Sequence, residues 1–397
     1  MRGAAAAELV TEWQAGLAKV AITPTEPIWM AGFGVRTHPS SGVRQDIFIR
    51  ALALRDAQGK ACVLTTFDLV GIDRQMADAV FAGAQRRFGL SRDRLILNVS
   101  HTHSGPVAGL EIMPMYSDLT PTQRQVVRRY TDDVIDKAIR TIGNALEALA
   151  PATLGFGQGF AGIAVNRRRV ANRALPGPTD PDVPVLSVRD RKGNLRGVVV
   201  GYATHATALN DYLIGGDWPG FALEEIERAH PGATAMFIQG CGADANPLPR
   251  RDEALARIHA SVLAASVEQV LASTPKTVVG PLKTAFDRVD LAFEEPPSRT
   301  LLQERLGDGN KYVRRHAERL LAELDRDGKL AASNPYPIHV WQFGPGLTFI
   351  ALGGEVVADY ALRLKAEHGF ETKWVAGYSN DVMAYIPSAR VLKVRLM

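Results

Sequence analysis

The 397 residues are 46% hydrophobic and 22% charged, and they carry a formal net charge of +4. That is the profile of a soluble globular chain, long enough for one large domain or two ordinary ones and for a core that needs no covalent staple. The short basic runs Arg167-Arg168-Arg169 and Arg314-Arg315-His316 lack interleaved aromatics, Cys62 and Cys241 form no Cys-x-x-Cys pattern, and no 18-residue window is apolar; these features exclude nucleic-acid binding, a disulfide framework and a transmembrane helix.

Met1 to Trp13 has no basic start followed by a long apolar run, so the default compartment is the cytoplasm; an incomplete N-terminus would leave secretion or the periplasm open. Leu17 to Ile22 alternates as a strand. A glycine-rich loop follows, carrying Arg36 and His38, whose side chains are candidates for lining a pocket. Ile47 to Arg55 and Cys62 to Val70 read as a strand pair, the second ending at Asp68. Arg74 to Phe88 is an amphipathic helix. Leu95 to Val99 is an apolar strand running into His101-Thr-His103-Ser-Gly-Pro106. Thr120-Pro121 caps a long helix to about Ala148.

Thr153 to Phe160 is a further strand, and Val185 to Arg189 with Leu195 to Tyr202 form a hairpin that ends at Thr204-His205. Pro219 begins a helix through His230. Ala233 to Ile238 is a short buried strand that enters Gln239-Gly-Cys-Gly-Ala-Asp244-Ala-Asn246-Pro247, where glycines allow close backbone approach. Arg251 to Ala272 is a helix, Val278 to Phe293 alternates as a strand, and Ser298 to Asp327 is one charged surface helix. Ile338 to Phe343 and Leu347 to Leu352 form a hairpin whose second strand empties into Gly353-Gly354-Glu355, with a helix to about His368. Trp374 and Val375 make a last strand before Gly377-Tyr378-Ser-Asn-Asp381-Val-Met-Ala-Tyr385. Interleaved strands, hairpins and helices predict an α/β fold with mixed sheets, flanking helices and an active site at strand ends. Among the other histidines, His230, His259, His316 and His368 read as exposed or capping, and His339 as a half-buried packing residue.

The two histidines of His101-Thr-His103 leave an extended backbone on one face, which makes half of a chelate. His205, Glu355 and Tyr385 also follow apolar strands. Histidines with a carboxylate suit zinc, which takes nitrogen and oxygen ligands in a tetrahedron. Asp68 and Asp217 are candidate partners for the far N–H of metal-bound imidazoles.

These stretches resemble the catalytic N-terminal domain of the neutral/alkaline (non-lysosomal) ceramidases. The matching strings are Ala21-Ile-Thr-Pro24, Asn98 through Pro106, Asn166-Arg167, Ala203-Thr-His205, Gln239-Gly240 with Asp244 and Pro247, Leu352-Gly-Gly-Glu355, and Gly377-Tyr-Ser-Asn-Asp381 with Tyr385, all in family order. The resemblance implies a zinc ion held by His101, His205, Glu355 and Tyr385, with His103 and Arg167 contacting the scissile amide. It implies a zinc amidase that cleaves the N-acyl bond of ceramide or a similar lipid; such a substrate leaves room for transient contact at a membrane surface, and the composition already argues against a nucleic-acid partner. It further implies that 1–397 is a single catalytic domain lacking the last segment and the immunoglobulin-like domain of larger relatives. Ala243-Asp-Ala-Asn246-Pro replaces the family's Gly-Asp-x-Ser-Pro, and Val382 replaces the first of two tyrosines in the last motif. Two other classes compete: an amidohydrolase-type barrel, which also carries a His-x-His strand but on its first strand, and a binding relict that has lost its metal.

Overall fold

The computed structural model describes residues 13–109, 119–168, 177–369 and 372–393. Eight strands form the main path of one sheet: β1 (Trp13–Ala21), β2 (Phe48–Arg55), β3 (Ala61–Phe67), β4 (Leu95–Val99), β5 (Ala150–Phe160), β6 (Asp182–Asp190), β7 (Leu195–Tyr202) and β8 (Thr234–Gln239). They lie in the order β8-β7-β6-β5-β1-β2-β3-β4, and the short strand Lys276–Val278 adds to β5, giving nine strands among the described residues. Only the end pairs β3/β4 and β7/β8 are parallel; the pairs between them are antiparallel.

The near-continuous apolar runs of these strands follow from burial on both faces. On β4, Leu95, Leu97 and Val99 face helices α1 (Arg74–Phe88) and α2 (Pro121–Glu147), while Ile96 faces the other way. On β7, Val198, Val200 and Tyr202 pack with α3 (Asp217–Ala229) and α4 (Glu253–Ala272), while Val199 faces away. The opposite-facing residues meet Trp341, Phe343, Phe349 and Trp374 of a second sheet. That sheet orders β9 (Leu282–Ala292), β10 (Ser333–Phe343), β11 (Leu347–Leu352) and β12 (Lys373–Ala376), with β11/β12 parallel. Its outer face carries α7 (Ala358–His368), after α5 (Arg299–Arg305) and α6 (Lys311–Asp327) in the chain. The result is a helix, sheet, sheet, helix stack, the mixed α/β architecture expected. Mixed strand directions replace the all-parallel closed barrel that an amidohydrolase would need.

Local chemistry sets the boundaries. The Thr120 hydroxyl accepts from the Gln123 N–H and the Gln123 side chain returns the bond, a capping box at the start of α2. The expected single helix from Ser298 to Asp327 is two: α5 ends at Arg305, the Gly307-Asp308-Gly309 stretch breaks the pattern, and Asn310 caps α6. His339 is fully buried rather than half-buried, its ring placed between the Arg92 carbonyl and the Asn380 amide. His259 is buried as well, bonded to the Pro249 carbonyl.

One feature of the large sheet brings its functional ends together. The two edge strands β4 and β8 meet through Asn98, whose Oδ1 accepts from the Gln239 N–H at 2.9 Å and whose Nδ2 donates to the Gly377 carbonyl at 2.8 Å. Asn98 thus ties the carboxyl ends of β4, β8 and β12 at one point.

Candidate metal centre

Beyond β4 and β7 the backbone continues side by side. Thr102 and Ala206 form a parallel bridge, and the His103 N–H donates to the Ala206 carbonyl at 3.1 Å. Residues flanking a bridged pair point to the opposite face from it. His101, His103 and His205 therefore share one side. The second sheet delivers the rest. The Tyr378 N–H donates to the Gly354 carbonyl at 2.9 Å, and Glu355 pairs directly with Tyr385 in a short parallel ladder, which puts their side chains on a common face. Gly354 has φ of +70°, and a Cβ there would lie 2.8 Å from the Ala384 carbonyl oxygen, so a side chain would push the Tyr385 segment away. His101 and Tyr378 also hold positive φ, 57° and 50°. Such backbone is costly for residues with side chains and is found where a site demands it.

The hydrogen bonds at the far nitrogens decide what these rings present to one another. His101 Nδ1 lies on the Val70 carbonyl, and His205 Nδ1 lies 3.1 Å from the Gly242 and Ala245 carbonyls. A carbonyl only accepts, so each Nδ1 carries the proton and each Nε2 faces inward with a lone pair. His101 Nε2 is 3.3 Å and His205 Nε2 3.4 Å from Glu355 Oε2, and the Tyr385 hydroxyl is 3.4 Å from His205 Nε2. His103 Nε2 is 3.1 Å from that of His101. Burial pushes His103 well below the ordinary imidazole range and lowers His205, so the rings resist protonation. Burial pushes the Glu355 carboxyl up; positive charge on His101 and His205 would outweigh it and hold the carboxyl well below the usual carboxylate range, and a metal ion on their lone pairs would supply the same positive charge. Unprotonated ring nitrogens facing an ionised carboxylate in a buried space make a cluster that can hold a metal ion. The His101, His103 and His205 donor atoms all lie within 4.8 Å of one another.

Arg167 reaches the same place from the strand Ala164–Asn166. Its guanidinium carbon sits 5.0 Å from the centroid of the Tyr385 ring. Its backbone N–H donates to the Asp244 carbonyl, while the Asp244 carboxylate accepts from Asn166, from the N-terminus of α7 and from Arg390. The glycines near Asp244 serve the close approach expected of them: a Cβ on Gly242 would lie 2.5 Å from the Thr204 nitrogen, next to His205. Arg169 lies outside the described residues.

Asp68 and Asp217 are not the partners of the histidine rings. Asp68 is buried against Arg50 at 2.8 Å and the Phe48 N–H, and Asp217 accepts from the N–H groups of Ala208, Leu209 and Trp218. Backbone carbonyls take the role expected of them. Asp217 instead shapes the turn after His205, and Trp218 donates its indole N–H to the His205 carbonyl. Burial pushes the Asp217 carboxyl up to about 6, against three N–H groups that pull it down. The native state therefore takes up a proton between pH 6 and the unfolded value near 4, and stability falls as pH rises through that window. Wild type minus Asp217→Asn should be about 1 kcal/mol more favourable at pH 5 than at pH 7.5 in urea unfolding; a pH-independent difference would remove Asp217 as the source.

The centre opens into a cavity of about 650 Å³, bounded by His101, His103, Glu355 and Tyr385 and by Val382, Met383 and Asn334. Gly32 from the glycine-rich loop also lines it, with a φ of +92° and no room for a Cβ against the His103 ring. Arg36 and His38 of that loop do not line it. Arg36 is buried and bonded to the Ala31 and Asp211 carbonyls, and His38 stacks on Tyr212. Two contributors escaped sequence reasoning. The buried Tyr378 places its hydroxyl 3.4 Å from Glu355 and its ring against His101. From α6, Tyr312, Arg315, His316 and Arg319 line the cavity; Tyr312, His316 and Arg319 are exposed, as expected of a surface helix, and Arg315 is buried. The spacing of those four on one helical face was the only available signal.

Comparison with known proteins accords with this geometry. Residues 13–280 match the family described as neutral/alkaline non-lysosomal ceramidase, N-terminal. The chain belongs to that family. It is 27% identical over 249 residues to the neutral ceramidase of Pseudomonas aeruginosa, which takes in 58% of this chain and 36% of the relative. It is 25% identical over 221 residues to neutral ceramidase A of Dictyostelium discoideum, 52% of this chain and 30% of the relative. The ceramidase-like match thus spans about a third of the length of each of these relatives. The crystal structure of the Pseudomonas aeruginosa neutral ceramidase superposes with a TM-score of 0.77 at 20% identity, over 98% of this chain and 70% of that one. A structure described as ceramidase complexed with C2 gives 0.75 at 20% identity, over 98% and 71%. The shared fold is the helix, sheet, sheet, helix stack described above.

Proposed function

We propose that the chain is a zinc-dependent amidase that hydrolyses the N-acyl bond of ceramide or a ceramide-like N-acyl lipid to a free amine and a fatty acid. The observation that carries this reading is the convergence of His101, His205, Glu355 and Tyr385. His101 Nε2 is 3.3 Å and His205 Nε2 3.4 Å from Glu355 Oε2, and the Tyr385 hydroxyl is 3.4 Å from His205 Nε2. The edge of a tetrahedron with zinc bonds of about 2.0–2.1 Å is about 3.3–3.4 Å, so these three pairs fit zinc in spacing and the four donors fit it in chemistry. The names of the curated relatives support the substrate class. When bound, zinc would polarise the amide carbonyl and bring the pKa of a coordinated water to about 7.

The remaining work falls to the chain. His103 is neutral and buried, with Nε2 turned to the cluster, and it takes the proton of the attacking water and returns it to the departing amine. Oxygen joins the acyl carbon, the C–N bond breaks, and the amine leaves with that proton. Arg167 holds a fixed positive charge where the carbonyl oxygen becomes negative. Val382 and Met383 offer apolar surface to an acyl chain. The test is metal content per chain by elemental analysis together with fatty-acid release from an N-acyl sphingosine. A zinc-loaded, folded protein that releases none from N-acyl sphingosines, N-acyl amino acids or anilides would overturn the reading.

Arg167→Ala should cost on the order of 10²–10³ in turnover, the usual worth of an oxyanion donor, and keep its zinc. Arg168→Ala should change turnover by less than roughly tenfold, because a partly solvated charge contributes little. The two variants are to be assayed side by side on one substrate. Equal, small effects would remove Arg167 from the site.

A further inference from the structure

Tyr385 needs an anchor that its own strand does not supply. It is 43% exposed, and the ladder that pairs it with Glu355 is two residues long. So short a ladder orders little by itself. The hold comes from the residues that follow, in the short helix α8 (Ala389–Lys393). Val391 packs on Ala243 and Val357, and the Tyr360 hydroxyl donates to the Pro387 carbonyl at 3.1 Å. Arg390 clasps Asp359 with its fork, Nε to Oδ1 at 2.9 Å and Nη2 to Oδ2 at 2.6 Å. The same Nη2 donates to Asp244 Oδ2 at 3.0 Å.

Asp244 is where other parts of the centre meet. Its buried carboxylate accepts from Asn166 Nδ2 at 2.9 Å, one residue before Arg167, and from the Ala358 N–H at 3.1 Å, three residues beyond Glu355. Its carbonyl accepts from the Arg167 N–H at 2.8 Å, and the next carbonyl, of Ala245, accepts from the His205 N–H at 3.1 Å. The Asp244 turn thus joins the segments that deliver Arg167, His205 and Glu355, and Arg390 adds the segment that delivers Tyr385. The two ends of the clasp differ in burial. The Asp244 side chain is 3% exposed, and those of Asp359 and Arg390 are 23% and 33%. Removing one partner of a buried ion pair leaves a charge that water does not reach, whereas an exposed end hydrates. Loss of Arg390 therefore falls on the Asp244 turn.

We propose, resting on the amidase reading, that Arg390 is a positioning residue of the metal centre: by clasping Asp244 and Asp359 it seats the Tyr385 segment against the segments of Arg167 and Glu355. The Arg167 guanidinium and the Tyr385 ring, 5.0 Å apart, come from two of the segments so joined. Arg390 touches neither the histidine cluster nor the substrate cavity and acts through the residues it clasps. The planar fork is what lets one side chain span two carboxylates.

The test measures two quantities on the full chain: zinc affinity, by competition with a chromophoric chelator, and kcat and KM for fatty-acid release from an N-acyl sphingosine. Melting temperature and circular dichroism report the fold. Arg390→Ala should lose about 10–100-fold in zinc affinity and in kcat, the usual worth of a partner one step removed from a metal's ligands, with KM little changed. Added N-ethylguanidinium should restore part of both, because the place it fills is one third exposed. Arg390→Lys keeps the charge without the fork and should fall between wild type and Arg390→Ala. Asp359→Asn weakens the clasp from its other end and should lower the same two quantities. Wild-type zinc affinity and kcat in a folded Arg390→Ala overturn the proposal. A loss that follows the unfolded fraction, and that N-ethylguanidinium does not restore, makes the arginine a stabiliser of the fold alone and overturns it too. A rise in KM with kcat and zinc affinity unchanged would assign Arg390 to substrate binding, with the same consequence. A wild-type chain that binds zinc but turns over no amide overturns the amidase reading, while a zinc affinity lost in Arg390→Ala and restored by N-ethylguanidinium still supports the role of Arg390.

Discussion

Glu355→Gln is expected to empty the chain of zinc and to lower amide turnover by on the order of 10⁴, the several kcal/mol that a metal supplies to such a reaction. The expectation follows from charge. Among the four donors, His101 and His205 would present ring nitrogens without charge to a metal, and the Tyr385 hydroxyl is pushed up to about 12, chiefly by burial and by Glu355. Glu355 is the carboxylate of the set, the donor whose charge would offset that of a bound cation. An amide in its place keeps the shape and removes the charge that offsets a divalent ion. Elemental analysis after dialysis, set beside fatty-acid release, checks both halves. Chelator treatment of wild type should reproduce the loss and added zinc should reverse it, whereas the variant should not respond to added zinc at low concentration. A variant that keeps stoichiometric zinc would take Glu355 out of the donor set.

How much of this was readable in the sequence depends on where each piece of information sits. The apolar strand before His101 and the Gly105-Pro106 stop are local patterns, and β4 ends where they indicate. The capping residues of α2 are equally local. The meeting of His101 with His205 is not, because it depends on the bridge between Thr102 and Ala206 and on the curl that joins β4 to β8 through Asn98. Here family resemblance supplied what periodicity could not. Asp68 and Asp217 were attractive because side-chain carboxylates can be seen in a sequence. The carbonyls of Val70, Gly242 and Ala245 cannot, since every residue carries one. The α6 stripe was hidden for a related reason. A charged amphipathic helix looks the same whether its polar face meets bulk water or the rim of a cavity, and only the burial of Arg315 distinguishes the two. Tyr378 enters the site by a backbone φ of 50°, which no residue pattern announces.

His103→Ala separates the two donor sets that the cluster permits. One set uses His101, His205, Glu355 and Tyr385; the other replaces Tyr385 or Glu355 with His103, whose ring is also within reach of both other imidazoles. The far nitrogens distinguish them. A metal-bound histidine almost always donates its other N–H to a carbonyl or carboxylate, which fixes the ring and its tautomer. His101 does so to Val70, and His205 to Gly242 and Ala245. Among the described residues His103 Nδ1 has no hydrogen-bond partner, and the ring is packed against Gly32 and Phe33. With a metal on the His101 lone pair, the His103 Nε2 contact would no longer fix the His103 tautomer, and the ring could change which nitrogen carries the proton, as a general acid–base group requires and a ligand does not. His103→Ala should therefore keep zinc near the wild-type amount and lower turnover by on the order of 10²–10⁴. A gain in KM without a fall in kcat would assign the ring to substrate contact alone. Loss of zinc would move His103 into the donor set and leave the proton transfer to another group.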